Sequence, residues 1–405
     1  MKILFVSETY YPHLNGVYYF VCRVAPLLQQ KGYQVAVIAP SENIHFAKKK
    51  INNIDVYVMP SLPLLYYPKL RFPIPVLLQS RIKDLINEFK PDLIHIQDHF
   101  ILSKAVVEVN KKLKIPIVGT NHFMPENLTS LFKNDTIKKM VENFMWSRFS
   151  YVFNQVLLVT TPTETGARLV RPKLNSSVVA ISSGINIEEY NPLGNTDELK
   201  EKYKLPDKPV LLYVGRLDPE KRIEEILQAV AVALKKIDFY FVVVGKGVRK
   251  SALENLAKEL GIENRVIFTG FVSDQDLPFF YKFSRCFIIA SRAELLSLVT
   301  LQAMASGLPV IAVNAGALSE LVHDTINGFL FTPGDTDTIV KSLINIFTED
   351  NLCQKMSEKS LEYSAQHDIH KTVESFERVY KSFYTEEIVT KNYKVSQNKG
   401  IVKFH

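Results

Sequence analysis

Two doubly wound, Rossmann-like α/β domains facing across a cleft are the fold that this 405-residue sequence predicts, and three observations predict it. Short, nearly all-apolar β-branched runs alternate with longer helical stretches, the βαβ pattern of a parallel sheet covered on both faces. That alternation is interrupted by the turn signals NPLGNTDE and LPDKP, between 191 and 209, and then begins again. The composition, 47% hydrophobic and 22% charged with 16 Gly and 20 Pro, belongs to an ordinary globular chain and excludes disordered, collagen-like and disulfide-scaffold classes.

In order, the first half reads KILFVS, RVAPLLQQKG, QVAVIAP, DVYVMP, SRIKDLINEFK, DLIHIQ, KAVVEVNKKLK and PIVGTNH. The second reads VLLYVGR, EEILQAVAVALKK, YFVVVG, RKSALENLAKEL, RVIFTG, RCFIIAS, LVTLQAMASG, PVIAV and GFLF. An amino-terminal domain is expected over 1–190, a linker over 191–207 and a second domain over 208–365. A helix over 366–384 is expected to return to the first domain, followed by a polar tail over 385–405. Ligands of open α/β sheets bind outside the carboxyl ends of the strands, so the cleft between the domains is the expected active site.

Charge is uneven along the chain. Residues 1–200 hold 23 basic and 16 acidic side chains, which accounts for the whole net charge of +7. A basic half suggests a phosphate-bearing partner or an anionic membrane face. Cys22, Cys286 and Cys353 show no C-x-x-C spacing, against both a zinc site and a disulfide framework. The amino terminus reaches Glu8 after a short apolar run, too short for a signal-peptide core, and no run is long enough to cross a membrane. A cytoplasmic location is expected, and the Asn-x-Ser/Thr matches at Asn127, Asn134 and Asn175 read as chance.

Several motifs carry chemistry. In VGRLDPEKRIEEIL, Arg216 stands just past a strand and Lys221 at the entrance of the next helix, where free backbone N–H groups favour an anion. Two such cations can grip a diphosphate and stabilise its charge as it leaves. In SRAELLSLVTLQAMASGLPVIA, Glu294 lies in a loop after a strand, Ser297 to Thr300 open a helix able to hold phosphate, and Gln302 follows Glu294 by eight residues, about two turns. Each feature alone is also what a solvated loop or helix start looks like.

Taken together, GR-x4-K, the acid with a polar partner eight residues on inside AMASG-x-PVIA, and ALSELVHDTINGFLFTPGD resemble the retaining glycosyltransferases of the GT-B fold, glycosyltransferase family 4. The resemblance runs over roughly residues 1–384 and is most specific in the second half. It implies a hexosyltransferase that uses a nucleotide diphosphate sugar. Arg216 and Lys221 would bind the donor diphosphate and Glu294 the hydroxyls of the transferred sugar, in a catalytic set with His122. The family normally has Glu where this chain has Gln302; an amide can still bond a ribose diol, without the charge that strengthens the bond. The usual Gly-Phe-Gly after the first acid is replaced by Leu295, Leu296 and Ser297, which still offer backbone amides. The donor site is thus expected to involve Gly16, Gly215, Val272, Leu296, Ser297, Leu298, Val299 and Gln302.

In the first half, Gly16 in SETYYPHLNGVYYF permits close backbone approach to the donor phosphate. His122 in PIVGTNHFMPENL ends a strand where family members carry a His near the reaction centre, and Asn121 and Glu126 are expected at the sugar or acceptor. His95 and His99 do not have the spacing of a metal set on one helix face, and no metal is expected. GKGVRK at 245–250 lacks the third glycine of a dinucleotide loop, which counts against a nicotinamide enzyme. The stretch 61–85 sets Lys69, Arg71, Arg81 and Lys83 among Leu, Tyr, Phe and Pro, suiting a surface that rests in anionic head groups. The expected partners are a nucleotide sugar, a lipid acceptor and an anionic membrane surface, with no nucleic acid and no cofactor. A soluble acceptor, and a catalytically weak homologue that binds sugar nucleotide as a partner subunit, are the alternatives.

Overall fold

The computed structural model describes residues 1–11, 15–64, 67–123, 134–190 and 197–384, with the backbone alone at 64 and 67–70. The chain divides into two compact units, Met1–Ser183 together with the chain from Ile369 onward, and Gly184–Asp368.

The first unit is built on an eight-stranded sheet. From edge to edge it runs Ser177–Ala180, Leu158–Thr161, Ile117–Thr120, Leu93–Ile96, Lys2–Val6, Gln34–Pro40, Ile54–Met59 and Ala47–Ile51. All neighbours are parallel except the last, AKKKI, which pairs antiparallel with Ile54–Met59. Its lysines suit an edge, where charge discourages pairing with another chain. Both faces of the central strand are covered: Leu4 and Val6 join one core, Ile3 and Phe5 the other. The chain winds from Lys2–Val6 to one side and then crosses to Leu93–Ile96 on the other, which puts the topological switch point between these two strands.

The second unit has six parallel strands in the order Val266–Gly270, Tyr240–Val244, Val210–Val214, Cys286–Ile289, Val310–Val313 and Gly328–Phe331. Its switch point lies between Val210–Val214 and Cys286–Ile289. Both units are thus Rossmann-like and doubly wound.

The boundaries differ from those expected. Gly184–Tyr190 belong to the second unit, because Ile185 and Tyr190 are buried in its core. Of the expected linker, 191–196 lie outside the described residues, while Asp197–Lys202 form a helix and Leu199 and Leu205 are buried. At the other end the chain returns to the first unit as the helix Ile369–Tyr384. Its stripe Ile369, Val373, Phe376 and Tyr380 enters the same core as Phe20 and Val24. The tail over 385–405 is outside the described residues.

Candidate active site

The second unit sets Arg216, Lys221 and Glu294 at its switch point. Val210–Val214 ends in Gly215 and Arg216, followed by the short turn Pro219–Lys221 and the helix Ile223–Ala233. Gly215 meets the neighbouring strand end so closely that a Cβ on Gly245 would stand 1.8 Å from the Gly215 carbonyl oxygen. Gly245, part of GKGVRK, therefore packs the loop that carries Arg216, a role that its defective dinucleotide pattern did not reveal. Arg216 is 69% exposed and reaches Asp218, with its second terminal nitrogen 2.8 Å from Oε1 of Glu220.

Lys221 turns inward. Its Nζ lies 2.6 Å from Oε1 of Glu294 and 3.4 Å from Oγ of Ser291, and the two charged side chains are only 17% and 14% exposed. Glu294 comes from the loop after Cys286–Ile289, across the switch point. Its main chain is held in place: Ala317 N donates to the Glu294 carbonyl at 3.0 Å, and a Cβ on Gly316, at φ +57°, would come within 2.9 Å of that oxygen. Arg292 in the same loop donates to the buried Glu225 at 2.6 Å, and Arg222 donates to the same oxygen at 2.9 Å. Gly316, Arg292 and Glu225 were not anticipated; the glycine just after PVIAV was the available signal.

Ser297 caps the helix Leu298–Ala305, its Oγ accepting from Thr300 N at 3.3 Å. Leu296, Leu298 and Val299 are half-buried against the core, and Val272 turns its side chain into the core, so that its backbone alone is left for a ligand. Gln302 is 7% exposed, not the surface residue that its type suggests. Its Oε1 accepts from the Tyr281 hydroxyl at 2.9 Å and its Nε2 donates to the Tyr190 hydroxyl at 2.7 Å. Tyr190 stands 112 positions away in sequence, so no local pattern could announce this bridge.

In the first unit, Asn15 caps the helix Gly16–Gln30 by accepting from Tyr18 N, and Gly16 is exposed with room around it. His122 places Nε2 3.0 Å from Oε1 of Gln97 beside the Phe20 ring. Burial pulls its pKa to about 4, so it is neutral at pH 7. Asn121 departs from its expected ligand role: it is fully buried and its amide closes the turn, accepting from Phe123 N at 3.0 Å and donating to Phe123 O at 3.1 Å. Glu126 lies outside the described residues. Two carboxylates that sequence reasoning passed over, Glu8 and Asp98, follow the two strands of this switch point. Asp98 accepts from Glu8 N at 2.9 Å and from Ser103 Oγ at 2.8 Å, and Glu8 accepts from Leu102 N at the start of the helix Ile101–Leu113. Desolvation raises both, Asp98 to about 6.

The stretch 61–85 forms a hairpin, Ser61–Leu64 with Tyr67–Pro73, and leads to the helix Leu78–Phe89. Leu62, Phe72, Val76 and Leu77 are exposed, as is Lys83. Arg81 lies over the ring of Phe46 at 5.7 Å. Arg71 corrects the expectation: its guanidinium donates to Ser61 Oγ at 3.0 Å, Ser61 O at 2.8 Å and Ser41 O at 3.2 Å, so it fastens the hairpin rather than facing outward. The side chain of Lys69 is outside the described residues. No helix of the described residues is long and apolar enough to cross a membrane.

Comparison with known proteins agrees with this architecture. The family model for Glycosyltransferase Family 4 matches residues 14–189 and that for Glycosyl transferases group 1 matches residues 195–363. An alpha-monoglucosyldiacylglycerol synthase of Streptococcus pneumoniae is 28% identical, covering 97% of this chain and 87% of the relative. The sulfoquinovosyl transferase SQD2 of Arabidopsis thaliana is 26% identical, covering 90% and 70%. Among solved structures, a sucrose-phosphate synthase from Thermosynechococcus elongatus superposes with TM-score 0.74 at 18% identity, covering 95% of this chain and 99% of that one. Anabaena HepE in complex with UDP-glucose superposes with TM-score 0.73 at 20% identity, covering 94% and 100%. With the two family models together spanning most of the chain, and with this fold, the protein belongs to the GT-B glycosyltransferases of group 1 and family 4 and is an enzyme that transfers sugar.

Proposed function

We propose that this chain moves a hexose from a nucleotide diphosphate sugar to a membrane lipid, diacylglycerol or a glycolipid precursor, with retention at the anomeric carbon. The observation that carries this reading is the meeting of Lys221 and Glu294 at the second unit's switch point, 2.6 Å apart. One is suited to a diphosphate, the other to sugar hydroxyls. The relative from S. pneumoniae, named for a glucosylated diacylglycerol, supports a lipid acceptor, and UDP-glucose on HepE supports the donor class.

Under this reading the anomeric C–O bond to the diphosphate breaks as Arg216 and Lys221 take up the growing negative charge. The acceptor oxygen bonds the anomeric carbon from the same face, and its proton passes to the departing diphosphate oxygen. His122, neutral at pH 7, serves as a hydrogen-bonding group rather than a cation.

The test is incubation with UDP-glucose, UDP-galactose or GDP-mannose and diacylglycerol-containing vesicles, reading glycolipid by mass and anomeric configuration by NMR. An α-linked product from an α-linked donor, reduced on the order of 10²-fold in Arg216→Ala or Lys221→Ala, is the expected result. An inverted product, or no product with any donor, overturns the reading.

A further inference from the structure

Lys221 and Glu294 form an ion pair that is largely withdrawn from water, with side chains 17% and 14% exposed. A charge in such a place needs a partner; removing one leaves the other uncompensated at considerable cost. A donor diphosphate would claim Lys221, so Glu294 would have to find other donors. Its main chain is clamped by Gly316 and by the Ala317 amide, so the loop that carries it stays in place and the exchange falls to the two side chains, above all the long, flexible lysine.

We propose that Glu294 is the counter-ion that expels the nucleoside diphosphate product. With the intact donor bound, hydroxyls of the sugar donate to the Glu294 carboxylate and free Lys221 for the diphosphate. Once the sugar has been transferred, those hydroxyls are gone. Glu294 is then a buried anion without donors, and it takes Lys221 back, weakening the hold on the diphosphate. The same residue thus favours the substrate over the product that most resembles it. This proposal rests on the nucleotide-sugar reading above.

Calorimetric titration with UDP, GDP and ADP and with their hexose esters tests it, comparing the unmodified protein with Glu294→Gln. A neutral amide does not compete for Lys221, so the variant should bind the nucleoside diphosphate about tenfold more tightly. It should also lose the preference for nucleotide sugar over nucleoside diphosphate. In a Lys221→Met background, Glu294→Gln should no longer tighten diphosphate binding, because the contested cation is gone; a merely structural role would not produce this dependence. Thermal unfolding verifies that the variants fold, and Glu294→Ala, which should shift diphosphate affinity in the same direction, replaces Glu294→Gln if that variant does not. Unchanged or weaker diphosphate binding in the folded variant overturns the proposal alone. Binding of none of these nucleotides by the unmodified protein overturns the nucleotide-sugar reading and the proposal with it.

Discussion

The hydroxyl of Tyr380, on the last helix, lies 2.7 Å from Nδ1 of His95 in the central strand Leu93–Ile96. Beyond it, His95 Nε2 meets Thr120 Oγ1 at 2.6 Å, Thr120 meets Thr160 Oγ1 at 2.6 Å, and Thr160 donates to Gly119 O. The four side chains form one buried chain of hydrogen bonds, and burial keeps the imidazole within it neutral.

Tyr380→Phe keeps the ring and leaves Nδ1 of His95 without its partner in the core. The expected cost is about 1–3 kcal/mol of first-unit stability. Denaturant unfolding, with hydrogen exchange read at the amides of Leu93–Ile96, measures it. Unchanged protection there would mean that the Tyr380–His95 bond adds nothing to the hold of this helix on the strand.

Gly16 offers a test in which stability and function separate. A methyl group placed there meets nothing within 4 Å, so the protein itself does not require glycine at this helix start. Gly16→Ala should hold or raise stability, on the order of 0.5 kcal/mol. If a donor phosphate approaches this backbone, the same methyl should raise the donor KM tenfold or more. A variant with unaltered donor KM would release Gly16 from the donor site.

How much of this was legible in the sequence follows from where each signal resides. The buried parallel strands announce themselves as apolar runs because both faces are covered, and KILFV, VLLYV and YFVVV fall where the composition places them. The edge strand AKKKI carries no such run, because its three lysines are exposed to water. Arg216, Lys221 and Glu294 stand out as candidates from their motifs. That Lys221 would face Glu294, while Arg216 would face Asp218 and Glu220, could not be read from them, since several cations compete for several acids within a few residues. Gln302 was visible as a departure, but its two tyrosine partners belong to a helix and a turn that only the folded unit brings together.

His99 is fully buried among Phe100, Phe123, Phe149 and Phe153, and among the described residues neither of its nitrogens has a hydrogen-bond partner. Burial lowers its pKa from 6.5 to about 3. Unfolded, it takes up a proton near pH 6.5; folded, it refuses one until about pH 3. Its titration therefore costs the fold nothing above pH 6.5 and destabilises it increasingly as pH falls from 6.5 toward 3. His99→Phe should stabilise the first unit by about 1–3 kcal/mol at neutral pH by removing unsatisfied polar atoms. The advantage should widen as pH drops from 6.5 to 4. Melting curves across that range check it, and an advantage that narrows toward acid would contradict the assignment.

The hairpin and the helix after it make a directional prediction about membranes. Lys83, Leu77 and Phe72 are exposed, whereas Arg71 is consumed by Ser41 and Ser61. Each lysine near an anionic surface is worth about 1 kcal/mol. Lys83→Ser with Phe72→Ser should weaken cosedimentation with anionic vesicles at unchanged stability. Arg71→Ser should instead lower the melting temperature. Equal binding of the unmodified protein to anionic and neutral vesicles, or binding to neither, would favour a soluble acceptor.

Gln302→Glu tests whether the tyrosine bridge also serves the donor. In the amide, Oε1 accepts from Tyr281 while Nε2 donates to Tyr190. A carboxylate keeps the bond from the Tyr281 hydroxyl, and thermal unfolding verifies that the variant folds. It carries a charge on oxygens that have further lone pairs, and an ionised acceptor bonds a ribose diol more strongly than an amide does. Set against that, a carboxylate only 7% exposed is costly to ionise, so the gain in nucleotide affinity should be a few-fold. The gain must also depend on pH, present at pH 8 and shrinking as acid returns the carboxyl to its neutral form. Calorimetry with the nucleotide that the unmodified protein binds, at pH 8 and pH 5.5, measures both features. Unchanged or weaker affinity at pH 8 in a folded variant would confine Gln302 to bridging Tyr190 and Tyr281, away from the ribose.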